Sequence, residues 1–201
     1  MGKLVTVIGP SGVGKTALVR ALANQGDFTT ALEQHDERPF QALFKQDPRY
    51  GLANQIDYFL LRAEQERALR AVPQIGLIDG GLDLDYHGFA RLFHARGLLT
   101  DLEFNLCRQL YETLRDLIPA PELIVRLQAD EGTVAGRLSE RERINIASAE
   151  DFAQFESFID DWLTTLDPIH ILEVDVTEND PKYTRLTPLV LSEISDRFGK
   201  I

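Results

Sequence analysis

Short apolar runs alternate with longer amphipathic stretches along the 201 residues of the chain. A short, continuous apolar run that is bounded by turn residues is typical of a buried strand. The pattern predicts strands at residues 3–9, 28–33, 74–79, 122–129 and 170–176, of which the second is the weakest by composition. Most of these runs lack polar alternation, which indicates strands that are covered on both faces of a sheet.

The stretches between the strands repeat with helical spacing. In residues 51–71, apolar positions such as Leu52, Ile56 and Phe59 recur three or four residues apart, which predicts a long amphipathic helix. Thr100 followed by Glu103 has the spacing of a capping box and predicts a helix start. Helices are predicted at 16–25, 51–71, 86–97, 100–118, 130–143, 148–166 and 188–198, and residues 35–50, which contain two prolines, are predicted to form a turn-rich connection.

Strands that alternate with helices predict an α/β fold with a parallel sheet. The length of the chain and its content of apolar residues suit a single hydrophobic core, so we expect a single domain over residues 1–201. Ligands of such folds bind outside the carboxyl ends of the strands. The residues that end the predicted strands, among them Gly9, Glu33 and Asp79, are therefore candidates for a functional site.

The segment GPSGVGKT at residues 9–16 matches the phosphate-binding pattern G-x-x-x-x-G-K-[ST]. Its glycines let successive backbone N–H groups converge on phosphate oxygens. We expect Lys15 to reach the β- and γ-phosphates and the Thr16 hydroxyl to bind Mg²⁺. The residues expected to hold the nucleotide are Gly9, Ser11, Gly12, Val13, Gly14, Lys15 and Thr16. A strand before the motif and a helix after it disfavour the alternative of a glycine-rich turn without a ligand.

Composition narrows the classes of partner. The formal net charge is −11 and no Lys/Arg cluster is present, which disfavours a nucleic-acid polymer or an anionic membrane as partner. No apolar run is long enough to span a membrane, and the first residues lead directly into a strand without a signal-peptide pattern. The single cysteine, Cys107, excludes a disulfide within the chain, so we expect a cytoplasmic protein.

The acceptor side of the phosphate loop resembles the deoxynucleoside kinases. Residues 33–65 carry the family's Glu at the end of strand two, a proline-containing connection, a KDP-like turn as KQDP, and a helix with Gln followed by Tyr-Phe-Leu. The resemblance continues through residues 77–114 and 119–143. It implies a three-layer P-loop NTPase fold, with a five-stranded parallel sheet of order 2-3-1-4-5. It also implies phosphate transfer from ATP, with Mg²⁺, to the 5′-hydroxyl of a nucleoside.

The resemblance also assigns roles on the acceptor side. Glu33 would be the general base, for which the alternative is an ordinary exposed carboxylate at a strand end. Gln55 and Asp85 would orient the nucleobase, and Tyr58 would line the pocket, whereas Phe59 is expected in the core.

A second assignment concerns the segment GRLSERER, which resembles a lid over the triphosphate at about residues 136–146. Arg137, Arg141 and Arg143 would cover the phosphates. The alternative for this segment is a solvated helix in which Glu140 and Glu142 balance the arginines.

The match breaks after strand three. The family has Asp or Glu, then Arg, then Ser, whereas this chain has Asp79-Gly80-Gly81. Asp79 is retained and is expected to help hold Mg²⁺ through water. Gly80 cannot supply the family's arginine, which lies near the reacting hydroxyl, and Arg62 and Arg91 are candidates to replace it. The segment DGGLDLD, which contains Asp83, is expected to be a solvated acidic loop, with metal binding as the alternative.

Three hypotheses follow. The leading one is an ATP-dependent nucleoside kinase, with the helices at 51–71 and 100–118 suited to the homodimer that the resemblance implies. A nucleoside monophosphate kinase is the second, because GPSGVGKT also resembles the loop of guanylate kinases, but residues 33–60 offer only three basic residues to a phosphorylated acceptor. The third is a nucleotide-binding regulatory protein that has lost transfer, which rests on Gly80 alone.

Overall fold

A computed structural model describes residues 2–32, 38–139, 151–178, 180 and 182–199 of the chain. Within them lies a five-stranded parallel sheet of order β2-β3-β1-β4-β5, which confirms the predicted fold. The strands are β1 (Leu4–Ile8), β2 (Phe28–Ala31), β3 (Ile75–Asp79), β4 (Leu123–Gln128) and β5 (Ile171–Asp175).

Helices cover both faces of the sheet. Their bounds are α1 (Lys15–Ala23), α2 (Pro39–Gln46), α3 (Gly51–Arg70), α4 (Leu82–Leu84), α5 (Arg91–Ala95), α6 (Asp101–Leu117), α7 (Glu131–Ser139), α8 (Phe152–Leu163) and α9 (Leu186–Phe198). A π-helix at Asp85–Ala90 joins α4 to α5, and 3₁₀ turns lie at Pro48–Tyr50 and Pro168–His170.

The central strand β1 leads directly into the phosphate loop. It pairs with β3 on one side and β4 on the other, with Val7 opposite Asp79 and Ile8 opposite Arg126. The Gly80 amide then donates to the Val7 carbonyl at 2.9 Å. This register places the end of β3 beside the start of the loop at residues 9–16.

Alternate β1 side chains enter two separate parts of the core. Val5 and Val7 pack with apolar residues of α1 and α9, whereas Ile8 packs with α8 on the opposite face. Burying one such aliphatic side chain stabilises the fold by about 1.5–3 kcal/mol. Cys107 is fully buried among aromatic residues, as a small apolar residue would be, and this burial raises the pKa of its thiol to about 11.

Two helical segments differ from the sequence prediction. The turn-rich connection predicted at 35–50 was wrong for Pro39–Gln46, which form α2. Pro39 occupies the first turn of α2, where a missing N–H group is tolerated. The helix predicted at 86–97 begins earlier, at Leu82. The capping box of Thr100 and Glu103 at the start of α6 is confirmed.

A membrane-spanning helix would need a long and strongly apolar segment. Among the described residues, none of the helices is both long enough and apolar enough to cross a membrane.

Candidate active site

The phosphate loop joins β1 to α1 and relies on glycines. Gly9, Gly12 and Gly14 have φ angles of 138°, 87° and 114°, a region that other residues rarely adopt. Space is also restricted, because a Cβ at Gly12 would lie 2.8 Å from Leu138 Cγ and one at Gly14 would lie 2.0 Å from Tyr183 Oη. Both conformation and packing therefore require glycine at these positions.

The two polar side chains that end the motif lie at the start of α1. Lys15 Nζ donates to the carbonyl oxygens of Gly9 and Pro10, at 3.0 Å each. The Thr16 hydroxyl is hydrogen-bonded to the carboxylate of Asp79, which is 1% exposed. A hydroxyl and a carboxylate are hard oxygen ligands of the kind that Mg²⁺ prefers, so these residues fit that ion.

Arg137 contacts the phosphate loop on its carbonyl side. Its guanidinium donates to the carbonyl of Val13 at 2.9 Å and to that of Val176 at 2.7 Å. The predicted role of Arg137 over the phosphates stays a prediction. Tyr183 reaches the same face of the loop, with Oη 3.2 Å from the Gly14 carbonyl oxygen.

One face of α3 is directed at the segment that follows β3. Gln55, Arg62 and Glu66 share this face, because they are spaced by seven and four residues. Gln55 Nε2 donates to the backbone carbonyl of Asp85 at 2.8 Å, and Arg62 Nε donates to the Asp85 carboxylate at 3.2 Å. Glu66 Oε1 accepts the backbone N–H of Leu82 at 2.9 Å. The helix α3 therefore holds both ends of this segment.

Arg115 of α6 binds two buried carboxylates, those of Glu66 and Asp83. Its terminal nitrogens donate to both oxygens of Glu66 at 2.8 and 2.9 Å, and its Nε donates to Asp83 at 2.8 Å. The Tyr111 hydroxyl also donates to Asp83, at 2.8 Å. Burial raises the pKa of Glu66, although the Arg115 charge opposes that effect. The β3-loop cluster is defined here as Gln55, Arg62, Glu66, Asp83, Asp85 and Arg115.

The prediction of a solvated acidic loop was wrong. Asp79, Asp83 and Asp85 are 1%, 5% and 3% exposed. Each carboxylate has a partner from another element: Thr16 for Asp79, Arg115 and Tyr111 for Asp83, and Arg62 for Asp85. Pairing of this kind offsets the large cost of removing a carboxylate from water.

The space beside Gly80 is occupied by Arg62. Gly80 has a φ of 93°, and a Cβ there would lie 3.2 Å from a terminal nitrogen of Arg62. Arg91, the other candidate, lies elsewhere, with its guanidinium 4.4 Å from the centre of the Phe158 ring and 3.0 Å from Asp161. Of the two arginines, Arg62 is therefore the one that takes the place of a side chain at position 80.

Other predicted residues fall outside the β3-loop cluster. Phe59 is fully buried, which confirms its place in the core. Tyr58 is half-buried near Arg38. His87 stacks on Trp162 with ring centres 4.8 Å apart, and His94 pairs with Asp101, so these two histidines serve packing and pairing. Across the described ranges, no group of His, Cys, Asp and Glu has the arrangement of a metal site.

Three predicted site residues, Glu33, Arg141 and Arg143, lie outside the described residues, as does the lid beyond Ser139. Conversely, Glu66, Arg115 and Tyr183 carry no predicted role. Glu66 follows Arg62 by four residues, so helical spacing was available as a signal. Arg115 is distant in sequence from the carboxylates that it contacts, and Tyr183 from the phosphate-loop carbonyls, and no local pattern marks either residue.

Comparison with known proteins gives consistent results. A family model described as deoxynucleoside kinase matches residues 5–192. The chain is 21% identical over 182 residues to the deoxyadenosine/deoxycytidine kinase of Bacillus subtilis (strain 168), covering 88% of this chain and 84% of that protein. It is 27% identical over 143 residues to the deoxyadenosine kinase of Dictyostelium discoideum, covering 71% of this chain and 58% of the relative.

Solved structures match the fold over nearly the whole chain. The deoxyadenosine kinase from M. mycoides with bound dATP superimposes with a TM-score of 0.78 at 16% identity, covering 95% of this chain and 98% of that one. The same enzyme with the products dCMP and dCDP gives a TM-score of 0.77 at 15% identity, covering 96% and 99%. Because these identities are low, the likeness supports the three-layer fold of this chain and nothing more specific.

Proposed function

The chain belongs to the deoxynucleoside kinase family, and on that premise we propose that it transfers the terminal phosphate of ATP to the 5′-hydroxyl of a deoxynucleoside. It is a nucleoside kinase by membership, and the product would be a deoxynucleoside 5′-monophosphate. The observation that carries the proposal is the position of the β3-loop cluster. Gln55 and Arg62 both hold Asp85, and Arg62 also lies beside Gly80. Gly80 directly follows Asp79, which is bonded to Thr16 of the phosphate loop.

The charges on the acceptor side favour a neutral acceptor. Arg62 is paired with Asp85, Arg115 with Glu66 and Asp83, and Arg38 with Asp57. A nucleoside monophosphate would bring a phosphate group of its own to the acceptor side. Binding that group would need cations that are not already neutralised by carboxylates. These pairs therefore support a nucleoside rather than a nucleoside monophosphate as the acceptor.

Each residue of the proposed site has a distinct task. The backbone N–H groups of residues 11–16 and the side chain of Lys15 would orient the triphosphate, because phosphoryl transfer depends mainly on positioning and charge. Glu33 would accept the proton of the attacking hydroxyl. Gln55 and Asp85 would orient the nucleobase, with Tyr58 at the edge of the pocket.

The remaining parts of the site concern the ion and the lid. Mg²⁺ held by Thr16, and through water by Asp79, would neutralise charge on the transferred phosphoryl group. The segment at about 136–146 would close over the triphosphate with Arg141 and Arg143. The resemblance implies the same role for Arg137, whose guanidinium donates to the Val13 carbonyl of the loop in this structure. Of this segment, the structure describes the part up to Ser139.

The proposal is tested by transfer from ATP–Mg²⁺ to a panel of ribo- and deoxynucleosides and their monophosphates. We expect transfer to deoxynucleosides, and a loss of roughly a hundredfold or more in Glu33→Gln. Glu112→Gln removes an exposed carboxylate of α6 and is the matched control, with activity unchanged. Transfer to monophosphates alone would support the second hypothesis, and ATP binding without any transfer would support a regulatory protein.

We also propose that the protein is a homodimer of the cytoplasm. The outer face of α6 exposes Leu102 and Leu117, which are 82% and 74% exposed, and Leu60 of α3 is 48% exposed. Exposed leucines on two long helices support association through those helices. Sedimentation equilibrium measures the mass, and a monomer at micromolar concentration would contradict the dimer. Cell fractionation tests the compartment, which the reduced thiol of Cys107 supports.

A further inference from the structure

The carbonyl side of the phosphate loop is bound by two side chains from distant parts of the chain. Arg137 of α7 donates to the Val13 carbonyl at 2.9 Å. Tyr183, which precedes α9, places its hydroxyl 3.2 Å from the Gly14 carbonyl oxygen and 3.4 Å from that of Val13. Arg137 also donates to Val176 at the end of β5, at 2.7 Å. The loop, α7 and the segment after β5 are therefore joined at one point.

We propose that Arg137 and Tyr183 are positioning residues that set the phosphate affinity of the loop through two of its peptide groups. The Val13 carbonyl and the Gly14 N–H belong to one planar peptide, and the Gly14 carbonyl and the Lys15 N–H belong to the next. Fixing a carbonyl therefore fixes the direction of the N–H at the other end of the same peptide. A donor on the carbonyl also polarises the peptide and strengthens its N–H as a donor.

The N–H groups concerned are those that the motif uses for phosphate. In a loop of this type, backbone N–H groups cradle the α- and β-phosphates. Arg137 and Tyr183 would thus affect the N–H groups that bind the α- and β-phosphates, which ADP and ATP both carry. This role differs from the one that the resemblance implies for Arg137, because an arginine on the γ-phosphate would affect ATP and not ADP.

The packing of Tyr183 supports a dedicated role. Its side chain is 5% exposed, and burial raises the pKa of its hydroxyl, which therefore remains a proton donor. Its φ of 53° lies in the left-handed region, which is uncommon for a bulky residue. The hydroxyl also fills the space where a Cβ of Gly14 would lie. The backbone at Tyr183 and the glycine at Gly14 are both adapted to this contact.

The experiment measures nucleotide binding by calorimetry in the absence of an acceptor, so it rests on the nucleotide-binding part of the proposed function alone. Wild type, Tyr183→Phe and Arg137→Met are titrated with ADP, ATP and inorganic tripolyphosphate. We expect all three ligands to bind about three- to tenfold more weakly to each variant, as expected for the loss of one or two hydrogen bonds. In activity assays the KM for the nucleoside stays unchanged.

A matched control removes a different, partly buried hydroxyl. Tyr111→Phe deletes the hydroxyl that donates to Asp83 and should leave the affinity for ADP unchanged. Thermal unfolding of all variants shows that each is folded under the titration conditions.

Several results would overturn the inference. Unchanged ADP affinity in both variants would exclude a positioning role. Unchanged tripolyphosphate affinity with weakened ADP would mean that the two residues act on the nucleobase. A loss limited to ATP in Arg137→Met would place Arg137 on the γ-phosphate. Wild type that binds neither ADP nor ATP would instead refute the proposed function together with the inference, which separates the two failures.

Discussion

The phosphate loop and the β3-loop cluster lie side by side at the carboxyl edge of the sheet, but they are built differently. The loop consists of consecutive residues 9–16 and uses mainly backbone groups, with glycines at 9, 12 and 14 in left-handed conformations. The cluster consists of side chains whose bonded pairs are up to 49 residues apart in sequence, as in the pair of Arg115 and Glu66. The bond between Thr16 and Asp79 connects the phosphate loop to the end of β3, which leads into the segment that the cluster holds.

This difference determines what each region can tolerate. A backbone-built loop depends on residues that permit its conformation, so its glycines are its weak points. A cluster of buried charges depends on complete pairing, because a buried carboxylate that loses its partner keeps the desolvation cost without the compensating attraction. Single substitutions should therefore affect stability most in the β3-loop cluster and nucleotide binding most in the phosphate loop.

The largest effect is expected for Arg115→Met. This variant leaves Glu66 and Asp83, which are 0% and 5% exposed, without their cation. We expect the free energy of unfolding at pH 7 to fall by about 3–5 kcal/mol, measured by urea denaturation. Adding Glu66→Gln and Asp83→Asn to the variant should restore part of the loss, because it removes the unpaired charges.

Arg108→Met is the matched control for that experiment. Arg108 lies on the same helix and pairs with Glu112, but both side chains are about half exposed to solvent. Such a surface pair should contribute less than about 1 kcal/mol. Equal losses in Arg108→Met and Arg115→Met would show that α6 is sensitive to any substitution and would contradict the distinction between the regions.

The same difference explains what could be predicted from the sequence. The strands and the phosphate loop were predictable because apolar runs mark buried strands and GPSGVGKT is a contiguous motif. The strand order was implied by the family resemblance, and the sheet has that order. The helix α2 was missed because two prolines suggested a turn, whereas Pro39 occupies a position where proline begins a helix. Local pattern was thus sufficient wherever the structure depends on neighbours in sequence.

The paired charges were not predictable in that way. The burial of Asp83 depends on Arg115, which is 32 residues away, and no local pattern connects them. Spacing alone suggested Arg62 and Arg91 for the space beside Gly80, and only the packing of α3 against β3 distinguished Arg62. The roles of the individual site residues, including Glu33, stay predictions.

A second prediction concerns pH and His87, which contacts the β3-loop cluster through Tyr111. Burial lowers the pKa of His87 from 6.5 to about 4. Between these values the unfolded chain binds a proton that the native state does not, so stability is full above pH 6.5 and is lost as pH falls towards 4. The loss attributable to this group should reach about 3 kcal/mol.

The measurement compares urea denaturation of wild type and His87→Gln from pH 7 to pH 4. The variant should lose less stability over this range, because it lacks the titrating ring. Glu66 has the opposite sign, since its raised pKa favours the native state at low pH, but it is present in both proteins and cancels in the comparison. Parallel curves for the two proteins would show that folding does not lower the pKa of His87.

The smallest effects on stability, and the most selective on function, are expected for Gly14→Ala and Gly80→Ala. Both glycines have positive φ, at 114° and 93°, so each substitution should destabilise the fold by about 1–3 kcal/mol. The added methyl group meets Tyr183 Oη at 2.0 Å in the first variant and an Arg62 nitrogen at 3.2 Å in the second. Steady-state kinetics should therefore show a rise of roughly tenfold in the KM for ATP in Gly14→Ala, and in the KM for the nucleoside in Gly80→Ala.

The assignment of each KM change can be checked in a second background. Tyr183→Phe removes the oxygen that the Gly14→Ala methyl group meets, so the double variant should lose less ATP affinity than the two single effects combined. The effects of Tyr183→Phe and Gly80→Ala on the KM values should be additive in the double variant, because Tyr183 and Arg62 contact different loops. If each glycine variant raised both KM values equally, the phosphate loop and the β3-loop cluster would have to act as one unit, coupled through Thr16 and Asp79.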